Sequence, residues 1–213
     1  WVVITSAEGT DEKYEISLIS IAKGKGKIRP VAQWKPQTLV PGLDHDWQLI
    51  EGMGDELWFV TSKGAPKLKV VKVDLRGTAP VFSDIIAERA EPLARAQIVG
   101  SRLVLSYLKD AASVAEMVSL EGQPLQRIQL NAIGTASGFS GKPGDPETYY
   151  SFSSFNQPGA IYRFDSTTGK SSIFAQSKLS FDPAGISIEQ RFFTSKDGTK
   201  VPMFVVRKKD LDL

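Results

Sequence analysis

The sequence predicts an all-β protein, a β-propeller of four-stranded antiparallel blades, on three observations: a strand pattern that repeats along the chain, turn chemistry between the strands, and almost no helix-period segment. The repeat is carried by apolar, β-rich runs that end in or continue into Ser or Thr: WVVITS (Trp1–Ser6), LWFVTS (Leu57–Ser62), LVLSYL (Leu103–Leu108) and YYSFSS (Tyr149–Ser154). Their starts at 1, 57, 103 and 149 give steps of 56, 46 and 46 residues.

Each run is followed by a turn-prone stretch and a second strand, at Tyr14–Ser20, Leu68–Leu75, Val114–Leu120 and Ala160–Ser166. A short closing strand is expected at Ile28–Gln33, Phe82–Ile86, Leu125–Leu130 and Ser172–Ala175. Opening strands precede the later units at Trp47–Glu51, Ala94–Val99 and Gly134–Ser140. Gly52–Asp55, Gly100-Ser101, Glu121-Gly122 and Ser166–Gly169 fall between strands and supply turn residues. The single helical candidate, Ser83–Leu93 (SDIIAERAEPL), is cut short by Pro92 and reads as a loop or bent strand. The first unit lacks an opening strand, so the chain carries about four blades, three complete and one partial. A propeller closes on more units than this, so earlier blades are expected upstream of Trp1.

Composition narrows the function classes. The chain has 213 residues with 41% hydrophobic residues, enough to bury a core. Lys plus Arg number 26 against 24 Asp plus Glu, which speaks against nucleic acid or an anionic membrane as partner. Cysteine is absent, removing thiolate chemistry, disulfides and thiolate metal sites, and leaving cytoplasm and periplasm equally open. No apolar run reaches the length of a membrane span. One histidine, His45, stands between Asp44 and Asp46 and reads as a solvated loop residue. With no second histidine and no G-x-S-x-G elbow, the chain holds no catalytic set, no metal site and no implied cofactor; SGFSGK (Ser137–Lys142) has the wrong glycine spacing.

Three stretches imitate chemistry. AKGKGKIRP (Ala22–Pro30) alternates Lys and Gly, but a strand follows where a phosphate loop needs a helix, so it reads as a hairpin loop. The aromatic run Tyr149–Phe164 reads as packing between blades rather than a stacking platform. Arg207–Asp210 (RKKD) reads as a solvated strand end.

The last segment has its own logic. Ser195-Lys196-Asp197-Gly198 is a tight-turn sequence between two strand-like runs, with Gly198 supplying a positive φ. EQRFFTSKDGTKVPMFVVRKKDL, together with the upstream ETYYSFSSFNQPGAIYRFD, resembles the prolyl oligopeptidase family of serine peptidases. WVVITSAEGTDEKYEISLI and LVLSYLKDAASVAEMVSLEG match the order of that family's later blades, so the likeness covers essentially the whole chain.

The resemblance implies a seven-bladed propeller that caps an α/β-hydrolase domain and admits only short peptides. Residues 1–190 would be part of that propeller, and residues 191–213 the start of the return into the catalytic domain. The implied partners are that domain and short proline-containing peptides. The nucleophilic serine, aspartate and histidine would lie downstream of Leu213. One substrate-side position carries over: the EGTD turn (Glu8–Asp11), whose Thr10 either helps line an outer substrate pocket or is a plain turn residue. Two readings of function follow: the size-filtering propeller of a serine endopeptidase that cleaves after proline, or a non-catalytic propeller that binds a protein on its face. The terminal hairpin separates them, since a self-contained binding propeller has no use for it.

Overall fold

A computed structural model describes residues 1–23, 27–180 and 182–211, and every regular element longer than one turn is a β-strand. The chain forms two compact units, Trp1–Arg89 and Ala90–Leu213.

The first unit holds two sheets. Strands β1 (Val2–Ser6), β2 (Glu15–Ile19) and β3 (Gln37–Val40) form a three-stranded antiparallel sheet in that order. β4 (Trp47–Met53), β5 (Glu56–Thr61), β6 (Lys69–Asp74) and β7 (Val81–Ile86) form a four-stranded up-and-down sheet. Alternating apolar residues put Ile16, Leu18 and Val40 of the first sheet against Trp47, Leu57, Phe59, Val71 and Val73 of the second. That shared core is what makes the two sheets one unit.

The second unit repeats the pattern twice. β8 (Leu93–Val99), β9 (Arg102–Lys109), β10 (Ala112–Ser119) and β11 (Pro124–Ile128) form one sheet. β12 (Thr135–Lys142), β13 (Asp145–Ser154), β14 (Gln157–Asp165) and β15 (Lys170–Gln176) form the other. Tyr150, Phe152, Tyr162 and Phe164 alternate along β13 and β14 and pack on Val99, Val104, Ala115 and Met117 of the neighbouring sheet. Burying each such side chain contributes about 1.5–3 kcal/mol. The inward-facing members of the run are therefore inter-blade packing, and within their own sheet Tyr150 stacks on Tyr162 at 5.1 Å and on Phe139 at 4.5 Å, whereas Tyr149 and Phe155 are exposed. The runs expected to be equivalent, LWFVTS, LVLSYL and YYSFSS, supply the second strand of three successive blades.

One expectation fails locally. The closing strand of the first blade is β3, not Ile28–Gln33. Pro30 fixes φ at −54° and starts a 3-10 turn at Val31–Gln33, while Ile28 makes only an isolated bridge to Ala22. The strand forms beyond Pro36, where Gln37 pairs with Leu18 and Val40 with the fully buried Ile16. The tail Arg207–Asp210 is the expected solvated strand end at Lys208, Lys209 and Asp210, all exposed. Arg207 is partly buried, pairs with Glu189 at 3.2 Å and donates to the Leu211 carbonyl. The Lys-Gly stretch at Gly24, Lys25 and Gly26 lies outside the described residues.

The SGFSG stretch is a β-bulge. Gly138 has φ +115° and Phe139 φ +59°, the pairing of β12 with β13 skips a residue there, and Phe139 turns into the core. β16 (Ile186–Thr194) and β17 (Lys200–Lys208) form a separate two-stranded sheet with nine unbroken residue pairs. Its turn is the one the sequence specifies: the Gly198 N–H donates to the Ser195 carbonyl, Asp197 accepts from the Thr199 N–H, and Gly198 sits at φ +87°.

Candidate functional site

Up-and-down order gives every blade two unlike ends. In each blade the turn between the second and third strands and the connection to the neighbouring blade lie at one end; the remaining turns lie at the other. The connecting end is fastened by the Ser and Thr residues that mark the sequence repeat. In the second blade Thr61 is fully buried and donates to the Asp46 carbonyl at 2.7 Å, while the Ser62 hydroxyl accepts from the Asp46 N–H at 2.9 Å. In the fourth blade Ser154 donates to the Ile133 carbonyl at 2.7 Å. Each clamp ties the end of a second strand to the connector that enters the same blade. In the third blade the Leu108 N–H donates to the Pro92 carbonyl, and Lys109 pairs with Glu91 of the connector at 3.2 Å.

Thr10 lies at this end of the first blade. Gly9 at φ +61° and a bond from the Asp11 N–H to the Glu8 carbonyl turn the chain between β1 and β2, leaving Thr10 exposed. The neighbouring connector is acidic. Asp46 is raised above its ordinary pKa, first by burial and then by the carboxylates of Glu12 and Asp11, with Lys13 acting the other way. His45 is half-buried, and its carbonyl accepts from the Tyr14 N–H at 3.0 Å. It is anchored rather than freely solvated. Among the described residues no group of three His, Cys, Asp or Glu could hold a metal ion.

In the second unit the same end carries the β16–β17 hairpin. The Gln190 amide donates to the Asp110 carbonyl at 2.5 Å, in the two-residue turn between β9 and β10. Phe204 meets Phe155 of the β13–β14 turn at 5.2 Å between ring centroids. Asn156 donates to the Pro183 carbonyl at the hairpin's base. A cleft of about 430 Å³ lies between Gln190 and the ends of β10 and β11, with Lys109, Asp110, Ser113 and Arg127 on its walls. Inside the hairpin, Arg191 first and Arg207 second hold Glu189 below its ordinary pKa.

Sequence reasoning finds the hairpin turn and places Thr10 in a turn, but misses the clamps, Gln190 and the Phe155–Phe204 contact. The clamp residues are visible as repeat markers. Their bonds to connectors are not.

Residues 1–177 match the sequence model described as prolyl oligopeptidase, N-terminal β-propeller domain. A prolyl endopeptidase of Elizabethkingia miricola is 36% identical over 174 residues, covering 81% of this chain and 24% of that protein. A dual function macrocyclase-peptidase of Amanita bisporigera is 31% identical over 191 residues, covering 87% of this chain and 26% of that protein. The chain thus spans about a quarter of the length of the curated relatives it matches. A structure solved in an analysis of two prolyl endopeptidases superposes with a TM-score of 0.85 at 44% identity, over 98% of this chain and 30% of that one. Prolyl oligopeptidase B from Galerina marginata, without ligand, gives a TM-score of 0.86 at 26% identity, over 99% of this chain and 30% of that one.

Proposed function

The chain belongs to the prolyl oligopeptidase family, as part of its β-propeller, and from that premise we propose that it is the substrate gate and size filter of a serine endopeptidase that cleaves short peptides after proline. The acyl-transfer chemistry, a serine activated by histidine and facing an oxyanion hole, belongs to an α/β-hydrolase domain beyond this chain. The propeller's contribution is admission. A rigid ring of blades excludes folded proteins, so the catalytic serine meets only chains narrow enough to pass.

The observation that carries this reading is the hairpin's seat. β16–β17 leaves the blades and rests on the turns at their connecting end, through Gln190 on Asp110 and Phe204 on Phe155. This directs the chain toward a domain stacked on that end. Residues 1–190 are then the partial propeller and residues 191–213 the start of the return segment. β16 (Ile186–Thr194) spans that boundary. Thr10, exposed at the connecting end, is the position that helps line an outer substrate pocket.

The test uses the full-length protein. Thr10→Trp should raise KM for a proline-containing peptide while leaving kcat nearly unchanged, the signature of altered binding remote from the reacting bond. A variant with unchanged KM would remove Thr10 from the substrate path. The 213-residue chain alone should show no turnover of the same peptide, and turnover that copurifies with it would overturn the gate reading.

A further inference from the structure

The first blade carries an insertion that the other blades lack. The repeat step that contains it is 56 residues long against 46 for each of the later two, and the excess falls between the third and fourth strands. From β2 to β3 the chain takes 17 residues, Ser20–Pro36, where the matching connection takes six in the second blade and four in the third and fourth. This turn stands at the end of the blade opposite Thr10, away from the connecting end and the substrate path.

The composition of the insertion is one-sided. From Ile16 to Leu43 the sequence has no Asp or Glu but holds five of the chain's 26 Lys and Arg, which leaves 21 basic residues against all 24 acidic ones elsewhere. The near-balance of the whole chain is therefore an average over a cationic loop and a slightly acidic remainder. Lys23, Lys27, Arg29 and Lys35 are all exposed, and none has an ion-pair partner among the described residues. Beside them in the chain stand Val31 and Ile28, 71% and 65% exposed, the two most exposed large apolar side chains among the described residues.

The loop is held in shape by its own bonds. The Arg29 N–H donates to the Ile21 carbonyl at 2.8 Å, its Nε to the Ala22 carbonyl at 2.9 Å, and the Trp34 indole N–H to the Arg29 carbonyl at 2.9 Å. Trp34 is thereby folded back and half-buried, so the loop presents aliphatic and cationic surface rather than an aromatic ring on which a base could stack. A nucleic acid or a strongly acidic polypeptide would answer the charges but leave Ile28 and Val31 in water. A bilayer surface with anionic headgroups answers both, taking the cations at its phosphates and the aliphatic side chains at the acyl boundary.

We propose that Lys23, Lys27, Arg29 and Lys35, together with Ile28 and Val31, dock the protein peripherally on an anionic lipid surface. The preshaped loop loses little freedom in doing so, which favours binding. The site is separate from the Thr10 turn and does not depend on the peptidase reading.

The test is cosedimentation of the full-length protein with vesicles of phosphatidylcholine alone and of phosphatidylcholine with about one-third phosphatidylglycerol, at ionic strengths of about 0.1 M and about 1 M. Binding to the anionic vesicles should be at least about tenfold tighter than to the neutral ones at the lower salt, with most of that preference lost at the higher. Lys23→Glu combined with Lys27→Glu should abolish the preference, and Lys35→Glu alone should reduce it. Ile28→Ser combined with Val31→Ser should weaken binding to the anionic vesicles by about tenfold. All five side chains are exposed, so each variant should keep the Tm of the parent, measured in parallel. Equal binding to the two vesicle types, or a preference that survives charge reversal at both sites with Tm unchanged, would overturn the proposal. So would undiminished binding by the Ile28 and Val31 variant, or release from the vesicles by polyglutamate at matched charge, either of which would make the partner an acidic polypeptide.

Discussion

Gly138 is the residue on which the fourth blade's inner edge depends. At φ +115° it occupies a region closed to L side chains, and a Cβ there would lie 2.8 Å from the Tyr149 carbonyl oxygen and 3.0 Å from the Tyr150 Cα. Its bulge is what turns Phe139 onto Tyr150. Gly138→Ala should therefore lower the unfolding free energy by roughly 1–3 kcal/mol, read from urea denaturation. A neutral result would mean that the bulge can move along the strand. Asp46 offers a test of sign. Its pKa is raised in the fold, so the folded chain holds the proton more tightly than the unfolded chain does. Its penalty is absent below the ordinary value of 3.8 and appears as pH rises through that value toward the raised one. Asp46→Asn should keep the backbone clamp to Thr61 and Ser62, raise Tm at neutral pH, and leave Tm unchanged near pH 3.8 or below. A gain in Tm that persists in acid would mean that another cause is at work.

At the scale of elements, alternation and turns are legible in the sequence and long-range polar contacts are not. β5, β9 and β13 can be read from β-branched and aromatic runs because their burial comes from local period-two pattern. β3 is misplaced because Ile28 and Val31 are apolar yet stay 65% and 71% exposed, so hydrophobicity points to the wrong segment. Pro30 and Pro36 bracket the segment that fails to pair, and they are the better signal. The connector clamps join residues 15 to 21 positions apart, and Gln190 reaches Asp110 across 80. No local pattern encodes such a bond; only the assembled repeat brings its partners together. Two consequences can be measured. Ser154→Ala should cost about 1 kcal/mol of stability by leaving the Ile133 carbonyl without its donor. Phe204→Ala combined with Gln190→Ala should speed amide exchange in Ile186–Lys208 while leaving β9 and β13 slow, since the hairpin loses its seat but the blades keep their cores. Faster exchange throughout the second unit would show that the hairpin is part of the blade core.

At the scale of the molecule, the repeat makes the propeller legible in the amino-acid sequence itself, because each blade must bury one face against the next. Its role is not legible from composition. One histidine and no cysteine do not say what the chain serves. That comes from the family to which residues 1–177 belong and from the hairpin that follows them. The aliphatic and aromatic side chains of the buried core supply rigidity to the blades. The central proposal is that the family's propeller selects substrates by size. The measurement that reaches it most directly is kcat/KM of the full-length protein for one proline site, presented first in a short peptide and then within a folded protein domain of the same flanking sequence. The account predicts efficient cleavage of the peptide and a loss of at least about a hundredfold for the folded domain, restored when that domain is cut into fragments. Equal kcat/KM for the two presentations would contradict it.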